Sequence, residues 1–198
     1  GKIYIVWRHF KSQQGQNPDA LLMVTSSDYG ATFSDPVVIA QGPSFRPFDQ
    51  PPISASPGPP GFRTNAYPTV AVDGNGNVFV AIQERWGTSG SPRIVIRTLA
   101  NNATAWSARS PVEQSEGNAH QVMPAMSFGG GQLRLMWYDF RAETQGLNAV
   151  GDSISLDPPY TGFITGYDRK MNVRLAQFIP TQNGGLTFGA WVPVSQYF

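Results

Sequence analysis

Three arginines lie at similar places along the chain, each just after an apolar run that is typical of a β-strand. They are Arg8, Arg85 and Arg141. A guanidinium group binds a carboxylate through two parallel hydrogen bonds. Three such groups at one rim would therefore form a clamp for an acidic ligand. The alternative is that these arginines pair with neighbouring acids such as Glu84 and Asp139, because ion pairs near a surface are common.

Further polar and aromatic side chains fall on the same long connections or next to them. Binding and catalytic residues are often carried by long loops that a rigid scaffold positions. We therefore predict a binding face at the long loops, with its catalytic residues unassigned. Its candidate residues are the three arginines together with His9, Arg46, Glu84, Trp86, His120, Asp139 and Tyr160.

Metal chemistry has little support in the sequence. The chain has no cysteine, and its two histidines, His9 and His120, are far apart. The run Asp73-x-Asn75-x-Asn77 resembles the start of a calcium loop, but the distal glutamate of such a loop is missing. We interpret this run as a hairpin turn, with Ca²⁺ binding as the alternative. No other metal or cofactor is predicted.

The composition limits the class of protein. Of 198 residues, 21 are Gly and 17 are Pro, and together they exceed the usual share of about 12%. Aromatic residues make up 12% of the chain, which argues against disorder, and the shortage of charged residues, at 14%, argues against a coiled coil. A net charge of +1 without a basic tract argues against nucleic-acid binding. No apolar run approaches the length of about 18 residues that a membrane span needs.

A repeating order of strands and turns predicts an all-β fold. Residues 67–82 and 123–137 each read as a strand, a tight Gly-rich turn and a second strand. Each is followed by a loop and a second strand pair, and this order is typical of a four-stranded antiparallel blade. We predict blades at about 1–41, with its first strand missing, at 66–113 and at 120–195. Long loops are predicted at 42–65 and 139–169.

One turn carries a recognisable motif, and a later turn carries a weaker copy. The run Ser26-x-Asp28-x-Gly30-x-Thr32-Phe33 resembles the Asp-box, or BNR repeat, of the sialidase superfamily, and the weaker copy contains Asn183, Gly185, Thr187 and Phe188. In such a turn, the serine and the aspartate bond to the turn amides, and the glycine adopts a backbone shape that other residues resist. The aromatic residue is expected to be buried between sheets. In the family this motif is structural and lies away from the active site.

The resemblance implies about three blades of a sialidase-like β-propeller, part of a six-bladed ring. The remaining blades would come from the same longer chain or from another copy. Family enzymes use three arginines, a tyrosine assisted by a glutamate, and an aspartate, but their Phe-Arg-Ile-Pro motif is absent here; residues 45–47, around Arg46, echo it only in part. We expect an exported, extracellular or cell-surface propeller that binds glycan or protein without catalysis. The alternatives are an exo-sialidase and a structural module that assembles with other chains.

Overall fold

A computed structural model of the chain describes residues 1–10, 19–41, 66–86, 91–113, 121–139 and 172–194. These residues form three antiparallel sheets, and no helix occurs among them. The prediction of an all-β fold is therefore confirmed.

Each sheet is built from strands that follow one another in the sequence. The first sheet contains β1 (Ile3–His9), β2 (Ala20–Ser26) and β3 (Val37–Gln41). The second contains β4 (Thr69–Val72), β5 (Val78–Trp86), β6 (Ser91–Leu99) and β7 (Ser110–Pro111). The third contains β8 (Gln121–Gly129), β9 (Gln132–Asp139), β10 (Asn172–Pro180) and β11 (Leu186–Pro193).

Successive residues of a strand point to opposite faces of its sheet. The strands of the second sheet therefore contribute side chains to two buried interfaces, one on each face. In β5, Val78, Val80 and Ile82 pack against the first sheet. Phe79 and Ala81 of the same strand pack against the third sheet. The second sheet is therefore buried on both faces, and its central strands are apolar in the middle, at residues 78–82 of β5 and 94–96 of β6.

The order of the sheets in space follows their order in the sequence. Strand β8 contacts β4, β5 and β6, and β1 contacts β4. Such a stack of small antiparallel sheets, joined in sequence order, is consistent with a β-propeller. The described residues do not form a closed ring.

The aromatic residues of the two Asp-box-like turns are not buried between sheets, and this expectation was wrong. Phe33 and Phe188 are both exposed. Phe188 instead packs against Phe178 and Trp191 of its own sheet, with ring centroids 6.0 and 4.7 Å away. Trp106, at the corresponding place in the second sheet, does pack against the core between the first and second sheets. Phe33 has no such core beside it, because no other described sheet precedes the first one in the stack.

Candidate functional site

The two ends of the stack differ in the connections they carry. One end is where β1, β5 and β9 finish and where β2, β6 and β10 begin. Its connections include the two longest, 42–68 and 140–171, and we call it the loop end. The opposite end carries the short turns, including those at residues 73–77, 129–132 and 181–185, and we call it the turn end. The candidate binding face therefore lies at the loop end, where polar side chains lie between the sheets.

Arg8 lies between the first and second sheets at the loop end. Its side chain is buried, and its Nη2 lies 3.6 Å from Oδ2 of Asp19, which precedes β2. Its guanidinium carbon also lies 4.5 Å from the ring centroid of Phe10. The ion pair and the cation–π contact hold this arginine against its own sheet. Arg8 therefore pairs with an acid near its strand, which is the kind of contact that the alternative interpretation of the arginines expected.

Glu84 lies at the same interface, and it is buried in a cluster with two arginines that sequence reasoning did not identify. Arg97 bonds to both of its carboxylate oxygens, and Nη1 of Arg109 lies 3.1 Å from Oε2. One carboxylate and two guanidiniums leave the cluster with one net positive charge. Such an arrangement is a buried structural ion cluster, because both oxygens of the carboxylate are already bonded.

Asp139 organises a second polar cluster, between the second and third sheets. It is fully buried, accepts a hydrogen bond from Nε1 of Trp137 at 3.2 Å, and lies 3.5 Å from Nε of Arg174. Nη1 of Arg174 also lies 3.7 Å from Glu113. Gln121 donates to Glu113 at 3.2 Å and accepts from the backbone amide of Ile94 at 3.1 Å. Glu113, Gln121, Asp139 and Arg174 together are called the Asp139 cluster below.

A strained residue lies next to the Asp139 cluster. Met123 has a φ of 54°, although it is not glycine, and it falls where the register of β8 on β9 shifts between Val122 and Ala125. Its backbone amide donates to Oε1 of Gln83 at 3.0 Å. Backbone strain and β-bulges are over-represented next to functional sites. Both features therefore mark the loop end of the third sheet as the candidate site.

The Asp-box-like turn lies at the opposite, turn end. The hydroxyl of Ser26 accepts from the amide of Gly30 at 2.9 Å, and Asp28 accepts from both the hydroxyl and the amide of Thr32. The two bonds from Thr32 have the largest effect on the pKa of the Asp28 carboxyl, and a bond from Ser26 adds to it. Together they hold this pKa well below its usual range. In the second copy, Thr181 accepts from Gly185 at 2.9 Å, as Ser26 does from Gly30. The carboxylate of Asp28 thus stabilises the turn.

The Asp73 turn is bonded internally as well. Oδ1 of Asp73 accepts from the amides of Asn75 and Asn77 at 2.9 Å each, and Oδ2 accepts from the side chain of Asn77 at 2.8 Å. This geometry supports the turn interpretation of the Asp73 run, because amides occupy both carboxylate oxygens. Among the described residues, no group of three or more His, Asp or Glu side chains is placed to hold a metal ion.

A groove of about 620 Å³ opens at the turn end between the second and third sheets. Alanines, Trp106 and Phe178 form much of its wall, and Arg109 is the one charged residue among the described residues that line it. Thr98, Ser107, Ser110 and Asn183 also line the groove, and a mostly apolar wall with a few polar groups is typical of a ligand pocket. The buried charged clusters and the strained backbone at Met123 favour the loop end over this groove, and we place the candidate site there.

The remaining candidate residues are placed as follows. His9 is half-buried at the end of β1, with its backbone opposite Ala20. Arg85 and Trp86 are the last two residues of β5. The structure does not describe Arg46, His120, Arg141 and Tyr160. The convergence of Arg8, Arg85 and Arg141 therefore stays a prediction.

Sequence reasoning missed several polar residues of these clusters, above all Arg97, Gln121 and Arg174. A signal for two of them was present in the strand pattern. Arg97 and Arg174 fall in phase with the buried residues Val95 and Ala176, and a charged residue in a buried phase needs an opposite charge.

In the part of the chain that the structure describes, no helix is long and apolar enough to cross a membrane. No model of a known protein family matches the chain, and no curated protein matches it.

Proposed function

We propose that this chain is a sialidase-like BNR-repeat β-propeller module that binds a glycan at its loop end without catalysis, outside the cell or at its surface. The observation that carries the proposal is the Asp139 cluster. It brings two carboxylates, a guanidinium and an amide together between two sheets, at the end that leads into the long connections. The guanidinium of Arg174 offers several donors that match the hydroxyl groups of a sugar, and the other members of the cluster hold it in place.

The accessible member of the cluster is Arg174. Its side chain is 38% exposed, whereas Asp139 is fully buried. Glu113 and Asp139 outnumber it by one charge, so the cluster favours a neutral sugar over an acidic one. Asp139 and Gln121 hold Arg174 and Glu113 in place, because their own partners lie within the sheets.

Two observations favour binding over hydrolysis of an acidic sugar. Arg8, one of the three arginines of the expected clamp, is buried beside Asp19. Glu84, an acid near a strand end, is buried, and both of its carboxylate oxygens are bonded to arginines. Arg8 is therefore not placed as part of the clamp, and Glu84 is not placed as the glutamate that assists the tyrosine of a sialidase.

The test is a glycan array probed with the chain, combined with a turnover assay on a fluorogenic sialoside. We expect retention on one class of neutral glycan and no turnover. The variant Arg174→Ala should lose at least tenfold in affinity, because it removes the accessible cation of the cluster. Arg134→Ala is the matched control: Arg134 lies on the same sheet but bonds to Gly129 and Gln132 at the turn end.

Each other outcome contradicts part of the proposal. Turnover of the sialoside would show that the chain is an enzyme. Equal loss of glycan binding in Arg174→Ala and Arg134→Ala would move the site away from the Asp139 cluster. A folded chain that binds no glycan on the array would refute glycan binding and favour a protein ligand.

A further inference from the structure

Two exposed aromatic residues of β11 lie on the face of the third sheet that is turned toward the second sheet. Phe188 pairs with Phe178 of β10, and Trp191 pairs with Ala176. Phe178 and Ala176 are buried against the second sheet, and residues that pair across two strands share a face. Phe188 is 45% exposed and Trp191 is 41% exposed. We call these two residues the β11 platform.

A β-bulge places the two rings of the platform side by side. Residues three apart on a regular strand point to opposite faces of the sheet. The register of β10 on β11 shifts between Gln177 and Phe178, and Gly189 is the extra residue of β11. A Cβ on Gly189 would lie 3.2 Å from the carbonyl oxygen of Gln177, so the bulge favours glycine. Bulges of this kind re-aim side chains next to functional sites, and this one turns Trp191 onto the face of Phe188.

The rings of the platform are held by their neighbours. Trp191 packs edge to face with the buried Trp137, with ring centroids 5.8 Å apart, and against Phe188 at 4.7 Å. Phe188 in turn packs against Phe178. An exposed ring that is already fixed loses little conformational freedom when a ligand binds. The platform is therefore preorganised for a ligand.

The two rings do not fill the interior of the fold. The corresponding places of the second sheet, also three residues apart, hold Trp106, which packs against the core, and Arg109, which bonds to Glu84. A further sheet packed on the opposite face of the third sheet would leave the platform uncovered, because its rings are turned toward the second sheet. The space before them is open, since the groove between these two sheets is lined by Phe178, which contacts Phe188.

The platform adjoins the accessible cation of the Asp139 cluster. Arg174 and Ala176 are two residues apart on β10 and share a face, and Trp191 pairs with Ala176. Arg174 is therefore a diagonal neighbour of Trp191, at a separation of about 7–8 Å that long side chains can span. Trp137 links the same two features, because it packs against Trp191 and donates to Asp139.

We propose that the β11 platform binds the ring faces of an extended, neutral oligosaccharide whose sugars carry equatorial hydroxyl groups, as a cello-oligosaccharide does. This inference rests on the proposed function and names its class of glycan. The face of an aromatic ring is negative, so it attracts the axial C–H groups on the ring faces of such a sugar. The hydroxyl groups lie at the edge of the sugar ring, where Arg174 donates to them. From Phe178 to Arg174, β10 spans about 14 Å at about 3.4 Å per residue, so the ligand covers more than one sugar.

The first experiment measures the binding of glucose, cellobiose and cellotetraose by isothermal titration calorimetry. We expect the affinity to rise with the length of the oligosaccharide. Trp191→Ala should lower the affinity for cellotetraose about tenfold or more, and Phe188→Ala should lower it about threefold or more. Phe33→Ala is the matched control, because Phe33 holds the place of Phe188 in the first sheet and is 44% exposed. It should leave the affinity unchanged.

The second experiment measures acrylamide quenching of tryptophan fluorescence in the unmodified chain, so it does not depend on whether a variant folds. We expect cellotetraose to protect the fluorescence, because the sugar covers the exposed Trp191. Trp191→Phe should still bind cellotetraose, since Phe also offers a ring face, but this protection should be lost.

The outcomes separate this inference from the proposed function. If Arg174→Ala lowers glycan affinity but Trp191→Ala and Phe188→Ala do not, the platform is overturned and the proposed function stands. Bound cellotetraose that gives no protection, or an equal loss of affinity in Phe33→Ala, also overturns the platform. Binding of another neutral glycan but not of cellotetraose overturns the class of sugar alone. A chain that binds no glycan refutes the proposed function, and the platform with it.

Discussion

Glu84→Gln is the substitution that best separates a structural role from a binding role at the loop end. Removing one member of a buried ion pair usually costs about 3–5 kcal/mol, because the remaining charge stays buried without a partner. Two guanidiniums face Glu84, and they differ in exposure: the side chain of Arg97 is 9% exposed and that of Arg109 is 37% exposed. Arg109 can regain water after the substitution, but Arg97 cannot.

We therefore expect Glu84→Gln to lower the free energy of unfolding by about 3 kcal/mol, at the lower end of that range. Arg97→Gln should cost about 2 kcal/mol, because Arg109 still pairs with the glutamate. Arg109→Gln should cost about 1 kcal/mol or less, as an exposed ion pair does. Gln is close to Glu in size, so the loss in Glu84→Gln reports the charge rather than a cavity.

The assay is urea unfolding of the three variants, monitored by tryptophan fluorescence. With a urea dependence of about 2–3 kcal/mol per molar, a loss of 3 kcal/mol moves the midpoint by about 1 M. The ordering of the variants is the decisive result. Equal costs for Glu84→Gln and Arg109→Gln would refute the buried cluster and return Glu84 to the candidate binding residues.

Three further predictions concern the turn end. Asn77→Ala should lower the free energy of unfolding by about 2–3 kcal/mol in the same assay, because the fully buried Asn77 side chain bonds to three turns in two sheets. The control Asn75→Ala should lower it by less than about 1 kcal/mol. The lowered pKa of Asp28 keeps its carboxylate ionised in the folded chain at a pH where the unfolded chain takes up a proton. The stability should therefore fall as the pH drops below 3.8, the ordinary pKa of an aspartate. In Tm measurements from about pH 2 to about pH 6, Asp28→Asn should make this fall less steep. In thermal unfolding, Gly184→Ala should lower the stability by about 2 kcal/mol more than Gly130→Ala does. Both glycines have a positive φ, but only a Cβ on residue 184 would lie within 2.9 Å of another side chain. Equal losses would contradict the tight packing of this turn.

The backbone plan could be predicted from the sequence because it depends on short-range patterns. Apolar alternation and Gly-rich turns identify hairpins such as the one that ends β4 and begins β5, and the Gly76 of that turn adopts a φ of 82°. The sequence also separates short turns from long connections. These patterns need no knowledge of which sheet packs against which.

The partners of the charged residues could not be predicted, because they depend on contacts between strands and between sheets. The sequence interpretation considered Glu84 as a partner of the three strand-end arginines, but it bonds to Arg97 and Arg109, both farther along its own sheet. Asp139 bonds to Arg174, which lies 35 positions later in the sequence but on the adjacent strand. Such pairs follow from strand register, which the sequence does not specify at the level of single side chains.

The way in which each sheet is built has a consequence for folding and for change over evolution. Within the part of the chain that the structure describes, each of the three sheets consists of consecutive strands, with none inserted from another part. Most pairing contacts within a sheet are therefore short in sequence, so a sheet can form before its neighbours and then dock onto them. A whole sheet can also be duplicated, exchanged or lost without rethreading the others, because each one contacts mainly its immediate neighbours in the stack.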